Sequence, residues 1–349
     1  MNILQVVRRF GPVGGMERYV WELARELALA GHRVQVLCEA NLSSELLPGV
    51  RIHTLGTIRP KPRWLSHIRF SNRVHAWLKQ NRQADMIIHS HERLQDHHIT
   101  TFHGPPFAQI KDQPIWKRLS LRAGMNLWLE QRELCAPQVQ TVVPNSVRIA
   151  EQLRGCYPAV EKRLSRPIVP GVNPCPGRTE RVIAADAGVI GFVGKEWRRK
   201  GLEMAINIVS KLAEARPDLR FMVAGPAREA IEHLFEPVTF HYTLLGEVDA
   251  RPLYSQFDLL LHPARKEPFG MVITEALSAG VPVLISDVCG AVTEVTALNG
   301  STLSLDDPIG DWVDAADHWL SHPVDTIGYD RNWREVALEY EHLYKHIRL

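Results

Sequence analysis

Short apolar runs alternate along this chain with longer stretches in which apolar residues recur every three or four positions, and the alternation starts afresh near its middle. Ile3-Leu-Gln-Val-Val7 has the length and β-branched content of a strand, residues 8–15 form a glycine-containing loop, and residues 16–30 carry the period of an amphipathic helix stopping at Gly31. A second strand over 33–38 completes a βαβ unit, the building block of a doubly wound sheet. Strands are predicted near 51–54, 85–89, 98–102 and 139–143, with helical segments at 67–81 and 114–134. Between 156 and 180 the prolines at 158, 167, 170, 174 and 176 break any regular element, which marks a domain boundary. The second series predicts strands at 188–193, 219–224, 240–245, 257–262 and 282–286, and helices at 201–214, 227–235 and 270–279. The reading is α/β: two doubly wound Rossmann-like domains, 1–168 and 169–330, with a cleft between them. A last helix within 331–349 carries Trp333, Tyr340, Leu343 and Tyr344 and is expected to bury them on the first domain.

Composition narrows the classes. With 349 residues, 45% hydrophobic and 23% charged, the chain suits two full-sized cores and excludes disordered and fibrous classes. A net charge of +2 does not mark a nucleic-acid binder. Five dispersed cysteines without a CxxC pair fit a reducing compartment. The first strand follows Met1 directly, without the pattern of a secretory leader, and no apolar run reaches the roughly 18 residues of a membrane span. A cytoplasmic protein is expected, and any membrane association should be peripheral.

Two segments carry chemistry. In Phe192-Val-Gly194-Lys-Glu-Trp-Arg-Arg199-Lys200-Gly201 a cationic loop joins the end of a strand to the start of a helix, where open α/β sheets bind ligands, and its charge suits a diphosphate. In Glu267-Pro-Phe-Gly270-Met-Val-Ile-Thr-Glu275 two carboxylates bracket a glycine at a helix start. The amides of Met271 and Val272 are donors without intrahelical partners, and Gly270 allows close backbone approach. Each segment alone also fits a solvated loop and an exposed helical acid.

Glu267 to Glu275, with Ala276-Leu-Ser-Ala-Gly280-Val-Pro-Val283 after it, resembles the E-x7-E signature of the family-4 retaining glycosyltransferases of GT-B architecture. Gly11-Pro-Val-Gly14-Gly15 resembles that family's first glycine loop, Gly194 to Gly201 its G-x5-K-G segment, and Pro170-Gly-Val-Asn173 its interdomain turn. The resemblance covers nearly the whole chain. A narrower likeness, to lipopolysaccharide core glucosyltransferases, rests on Arg199-Lys-Gly201, Asp258-Leu-Leu-Leu-His-Pro-Ala264 and Ser286-Asp-Val-Cys-Gly290.

The family resemblance implies that Lys200, helped by Arg199, binds the diphosphate of a nucleotide-sugar donor, UDP-sugar favoured. Glu267 is implied for the sugar hydroxyls, the amides of Phe269, Gly270, Met271 and Val272 for phosphates and sugar, and Glu275 for the ribose. Gly14 and Gly15 are implied against the diphosphate, and His103 near the transferred sugar. Lys195 stands where many members have arginine, a point charge in place of a bidentate fork. No D-x-D metal motif follows a strand, so neither metal nor other cofactor is expected.

The histidines at 89, 91, 97, 98 and 103 admit a zinc reading, but their spacing is that of neither a finger nor H-E-x-x-H. They read as a polar acceptor-side loop with His103 nearest the chemistry. Residues 59–82 and 111–132 interleave Arg and Lys with Trp64, Phe70, Trp77, Trp116 and Trp128. Such a surface suits an anionic membrane or a phosphorylated lipid acceptor, while no nucleic-acid reader motif accompanies it. The alternative makes Trp77 and Trp128 core and the charges a solvated face. The expected function is transfer of a sugar to a glycan or lipid-linked acceptor at the inner face of the cytoplasmic membrane, in lipopolysaccharide core or surface polysaccharide assembly. The alternatives are a soluble transferase with a small acceptor and a silent nucleotide-sugar-binding protein.

Overall fold

The computed structural model describes residues 1–177, 182–322 and 328–349. The chain separates into two compact units, Met1–Gly171 with Asn332–Leu349, and Val172–Arg331.

Unit 1 is built on strands β1 (Asn2–Phe10), β2 (Arg33–Asn41), β3 (Val50–Thr54), β4 (Met86–Ser90), β5 (Ile99–Phe102) and β6 (Thr141–Pro144), in the order β3-β2-β1-β4-β5-β6 and all parallel. Parallel neighbours need crossovers, which α1 (Gly15–Leu29), α2 (Arg63–Asn81) and α3 (Leu121–Cys135) supply. Phe70, Val74 and Leu78 of α2 lie one turn apart and close over Leu4, Val6, Met86 and Ile88 of the sheet. α4 (Val147–Cys156) sets Ile149 and Leu153 against Phe102 and Val142.

Unit 2 repeats the plan. Its strands β7 (Ala187–Val193), β8 (Asp218–Ala224), β9 (His241–Gly246), β10 (Leu259–His262), β11 (Val283–Ser286) and β12 (Gly300–Leu303) run in the order β12-β11-β10-β7-β8-β9, again all parallel. Its helices are α5 (Leu202–Leu212), α6 (Met271–Ser278) and α7 (Ile309–Ser321). In both sheets the order reverses beside the first strand, at β1/β4 and at β7/β10, so the loops leaving these strands open outward around a switch point.

The last helix, α8 (Trp333–Tyr344), belongs to unit 1 and packs against α1. Trp333, Val336, Ala337, Tyr340 and Tyr344 are buried, whereas Leu343 is half-buried because it lies off that stripe. Asn332 caps the helix by accepting the Glu335 amide at 3.1 Å.

Several elements differ from the sequence reading. β1 runs on to Phe10, past the predicted loop start, because the Arg8 amide donates to Glu92 at 3.2 Å and its guanidinium pairs with Glu39 at 2.6 Å. The helix predicted over 114–134 is two, Ile115–Arg118 and α3, because the Ser120 hydroxyl accepts the Ala123 amide at 3.1 Å and starts a new helix. The helix predicted over 227–235 is one turn, Arg228–Ile231, continued as a 3-10 turn. α4, β12 and α7 were not predicted; β12 reads Gly-Ser-Thr-Leu, too short and too polar to give a period.

Candidate active site

In unit 2 the site grows from the loops after β7 and β10. β7 ends at Val193, and Gly194, with φ of 145°, turns the chain so that Lys200 folds back over it. A Cβ on Gly194 would lie 2.2 Å from Cδ of Lys200, so no side chain fits under that stem. Lys200 thereby reaches Glu267, Nζ to Oε2, at 3.0 Å. Arg199 approaches the same oxygen at 3.4 Å, donates to the Lys266 carbonyl and pairs with Glu196 at 2.7 Å. The neutral imidazole of His262, the last residue of β10 and fully buried, lies 3.4 Å from Glu267 through Nε2.

Burial alone would raise the Glu267 carboxyl, but Lys200, His262 and Arg199 together outweigh it and hold it well below the usual carboxylate range. Burial lowers His262, and Lys200 adds to that. Glu267 is thus a fixed anion. The ammonium and guanidinium beside it carry three and five donors, of which the carboxylate can take only some.

Three residues beyond Glu267, Gly270 caps α6 with φ of 100°, a left-handed conformation in which a Cβ would also meet Ile273 at 2.8 Å. The amides of Met271 and Val272 open this helix, and the helix dipole adds to the cationic character of the loop. Phe269 is buried, and its carbonyl accepts the Ala291 amide at 2.9 Å. The Gly290 amide donates to the Glu267 carbonyl at 2.9 Å, so the 286–290 loop pins the loop bearing the acid from behind. Glu275 is no exposed helical acid: it is buried and accepts the Tyr254 hydroxyl at 2.7 Å. The structure therefore brings Lys200, Arg199, Glu267 and Gly270 together. It adds His262 and Tyr254, which the sequence reading did not single out; the Leu-Leu-Leu-His end of a buried strand was the legible signal for His262.

Lys195 stands apart, paired with Glu247, and Arg198 lies 3.9 Å over the Trp197 ring. Neither touches Glu267 in the described contacts.

In unit 1 the equivalent loops carry a glycine turn, beside which Glu17 pairs with Arg9, and a neutral imidazole. Gly14, with φ of 73°, caps α1, and Gly15 is its first residue. His103 follows β5, half-buried, with Nε2 2.8 Å from Nδ1 of His91 and the Tyr19 ring edge-on at 5.0 Å. Burial pushes the His103 imidazole down to about 3. The loop behind it is held by buried Glu130, which accepts the amides of Phe107 and Ala108 at 2.7 and 2.9 Å, the Tyr157 hydroxyl at 2.8 Å and Arg93 at 3.0 Å. His97 and His98 turn elsewhere, His97 to the Glu133 carbonyl and His98 to the Ile88 amide. Among the described residues no group of three metal-ligating side chains is gathered.

Two parallel sheets, each wound about its own switch point, with a cation-bearing loop and an open helix N-terminus in the second, define the GT-B class of glycosyltransferases. Family models agree: "Glycosyltransferase Family 4" matches residues 13–174 and "Glycosyl transferases group 1" matches 187–322. A D-inositol 3-phosphate glycosyltransferase of Gordonia bronchialis is 24% identical over 95% of this chain and 81% of its own. The lipopolysaccharide glucosyltransferase WaaG of Escherichia coli is 34% identical over 117 residues, 32% of this chain and 31% of that protein. A crystal structure of WaaG matches with a TM-score of 0.77 at 19% identity, covering 99% of both chains. Anabaena HepE in complex with UDP and glucose matches with a TM-score of 0.70 at 17% identity, covering 99% of both. The chain is a family-4 glycosyltransferase of GT-B architecture, related to the lipopolysaccharide core glucosyltransferases.

Proposed function

We propose that the protein is a retaining, metal-independent transferase that moves a sugar from a UDP-sugar to a glycan or lipid-linked acceptor of lipopolysaccharide core or surface polysaccharide. The observation that carries this reading is the contact of Lys200 and Arg199 with Glu267, three residues before the open N-terminus of α6. Cleaving the bond between anomeric carbon and phosphate leaves charge on the departing diphosphate. Lys200, Arg199 and the amides of Met271 and Val272 would meet that charge as it develops, which lowers the barrier more than it tightens substrate binding. Two cations and a helix dipole take the part of a divalent ion.

Glu267, kept ionised, would accept sugar hydroxyls, and Glu275, oriented by Tyr254, those of the ribose. Gly14 and Gly15 would lie against the diphosphate, and His103 beside the sugar. Retention follows if the acceptor hydroxyl attacks on the leaving-group face and the phosphate takes its proton. The acceptor class is supported by the name of the WaaG relative, and the UDP donor by the ligand of HepE.

The membrane part of the proposal rests on one surface. In residues 111–122 the cations Lys111, Lys117, Arg118 and Arg122 are exposed beside Ile115, Trp116, Leu119 and Leu121, each apolar side chain at least 63% exposed. Basic residues around exposed apolar ones match an anionic lipid surface at the inner face of the cytoplasmic membrane, docked peripherally. Segment 59–82 fits less well, since Phe70 is core and Trp77 packs against the same cluster. No helix among the described residues is long and apolar enough to cross a membrane.

The decisive experiment offers UDP-, GDP- and ADP-sugars and measures sugar release and transfer. Turnover with a UDP-sugar, undiminished by EDTA, is expected; binding without any turnover overturns the enzyme reading. Sedimentation with anionic vesicles at low salt tests the membrane part.

A further inference from the structure

Unit 1 holds a polar chain that the functional reading leaves unused. It starts at His103, whose Nε2 meets Nδ1 of His91 at 2.8 Å. Nε2 of His91 lies 2.7 Å from Oε1 of Gln5, and Nε2 of Gln5 donates to the Tyr344 hydroxyl at 2.9 Å. That hydroxyl lies 2.7 Å from Nδ1 of His89, and Nε2 of His89 lies 2.8 Å from Oγ1 of Thr101. Thr101 meets the Tyr340 hydroxyl at 2.6 Å, which meets that of Tyr19 at 2.9 Å. The Tyr19 hydroxyl in turn lies 3.4 Å from the Ile168 backbone carbonyl. Every side chain from His91 to Tyr19 is buried, and the members come from β1, α1, β4, β5 and α8, with His91 and His103 in the loops just past β4 and β5.

The amide nitrogen of Gln5 only donates and its oxygen only accepts, so this residue sets the direction both ways along the chain. Followed outward from Gln5, this order has Tyr340 accept from Thr101 and Tyr19 from Tyr340. Thr101 accepts from Nε2–H of His89, whose Nδ1 accepts from Tyr344. Tyr344 accepts from the amide of Gln5, whose oxygen accepts from Nε2–H of His91. Nδ1 of His91 is left as an acceptor, and only an Nε2–H on His103 can fill it. One proton then occupies every link, provided each imidazole is neutral. Burial first, and neighbouring imidazoles second, hold His89 and His91 well below the usual histidine value, and burial does the same for His103.

We propose that this directed chain fixes His103 as its Nε2–H tautomer, with His91 the residue that positions it, so that Nδ1 is offered as an acceptor to a sugar hydroxyl rather than an N–H to a phosphate oxygen. Only the ligand in this statement rests on the functional reading above; the tautomer follows from the chain. The C-terminal helix takes part in this file through Tyr340 and Tyr344, which meet Thr101, His89 and Gln5.

Long-range proton–nitrogen correlation spectra of histidine-labelled protein, assigned with single substitutions, read the tautomers without any substrate. The expected result is Nε2–H at His89, His91 and His103. An Nδ1–H signal at His103 overturns the proposal. His91→Phe removes the acceptor and should mix the tautomers of His103 while lowering kcat/KM about tenfold, the worth of one hydrogen bond. His91→Asn keeps an acceptor oxygen near the place of Nδ1 and should hold the Nε2–H form. A His91→Phe spectrum unchanged at His103 overturns the chain as the cause. His103→Ala should leave UDP affinity within about twofold while lowering kcat/KM for the UDP-sugar, since one hydroxyl contact is lost and no phosphate contact; a tenfold loss of UDP affinity overturns the acceptor role. If the wild-type protein transfers no sugar but shows the Nε2–H pattern, the functional reading falls and the tautomer assignment stands.

Discussion

At the switch point of unit 2 the polar groups are charged and shared: Lys200 and Arg199 both lean on Glu267, and His262 backs it. In unit 1, beside the ion pairs Arg8–Glu39 and Arg9–Glu17, the buried groups from His103 through His91 and Gln5 are neutral and ordered in single file. Coulomb attraction is long-ranged and tolerates small displacements, so a shared carboxylate can hold two cations while leaving them donors for an incoming anion. A file of hydrogen bonds acts only at contact, and one misplaced proton disturbs the next link. The two units thus solve different tasks on the same sheet plan: one stores charge, the other fixes direction.

The hardest blow to the charged half is Lys200→Ala. We expect kcat to fall by roughly 10² to 10³, the usual cost of one donor aimed at developing charge, about 2.7 to 4 kcal/mol of barrier. Stability should fall as well, because buried Glu267 loses its nearest cation, so a melting curve run beside the kinetics checks that the variant is folded at the assay temperature. Glu267→Gln should cost both activity and stability. Breaking one member of a buried ion pair strands the others, at about 3 kcal/mol, read from the denaturation midpoint.

Acid weakens both halves, but in different pH windows. The depressed pKa of Glu267 contributes stability that is present above the unfolded carboxylate value of about 4.3 and is lost only as pH falls below it. The lowered imidazoles act earlier. Unfolded, they take up protons near pH 6.5; folded, His97 and His98 wait until about 4 and His103 until about 3, so stability falls as pH drops below about 6.5. Glu92 and Glu133, raised by burial to about 7 and about 8, oppose this, since acid relieves the cost of keeping them protonated when folded. The imidazoles outnumber the two acids, and melting temperatures between pH 6.5 and 4.5 should therefore fall; a flat or rising profile would contradict the neutral file. The smallest effect on folding is expected from Trp116→Ser with Leu119→Ser. Both side chains are exposed, so stability should move by less than about 0.5 kcal/mol for each while sedimentation with anionic vesicles weakens.

How much of this was legible depended on range. The βα alternation, the Gly194 to Gly201 loop and the Glu267 to Glu275 helix start were readable because strand period, glycine turns and helix caps are local. Lys200 meeting Glu267 was not, since 67 positions separate them and only adjacent β7 and β10 bring their loops together. The burial of Glu275 under Tyr254 was equally hidden, because spacing along a helix does not say what covers it. An apolar period that continues through Ser120 hides the break there, whereas Trp312, Ala316, Trp319 and Leu320 of α7 keep a helical spacing that the sequence reading does not include.

By itself, then, the sequence determined the two α/β halves, the cationic loop and the acid beside a helix start, because each is a pattern within some ten residues. Only the tertiary structure decided that His89, His91 and His103 form one file with Gln5, Thr101 and two tyrosines of the last helix. A hydrogen bond depends on atoms a few ångströms apart, and packing rather than sequence order sets which atoms those are.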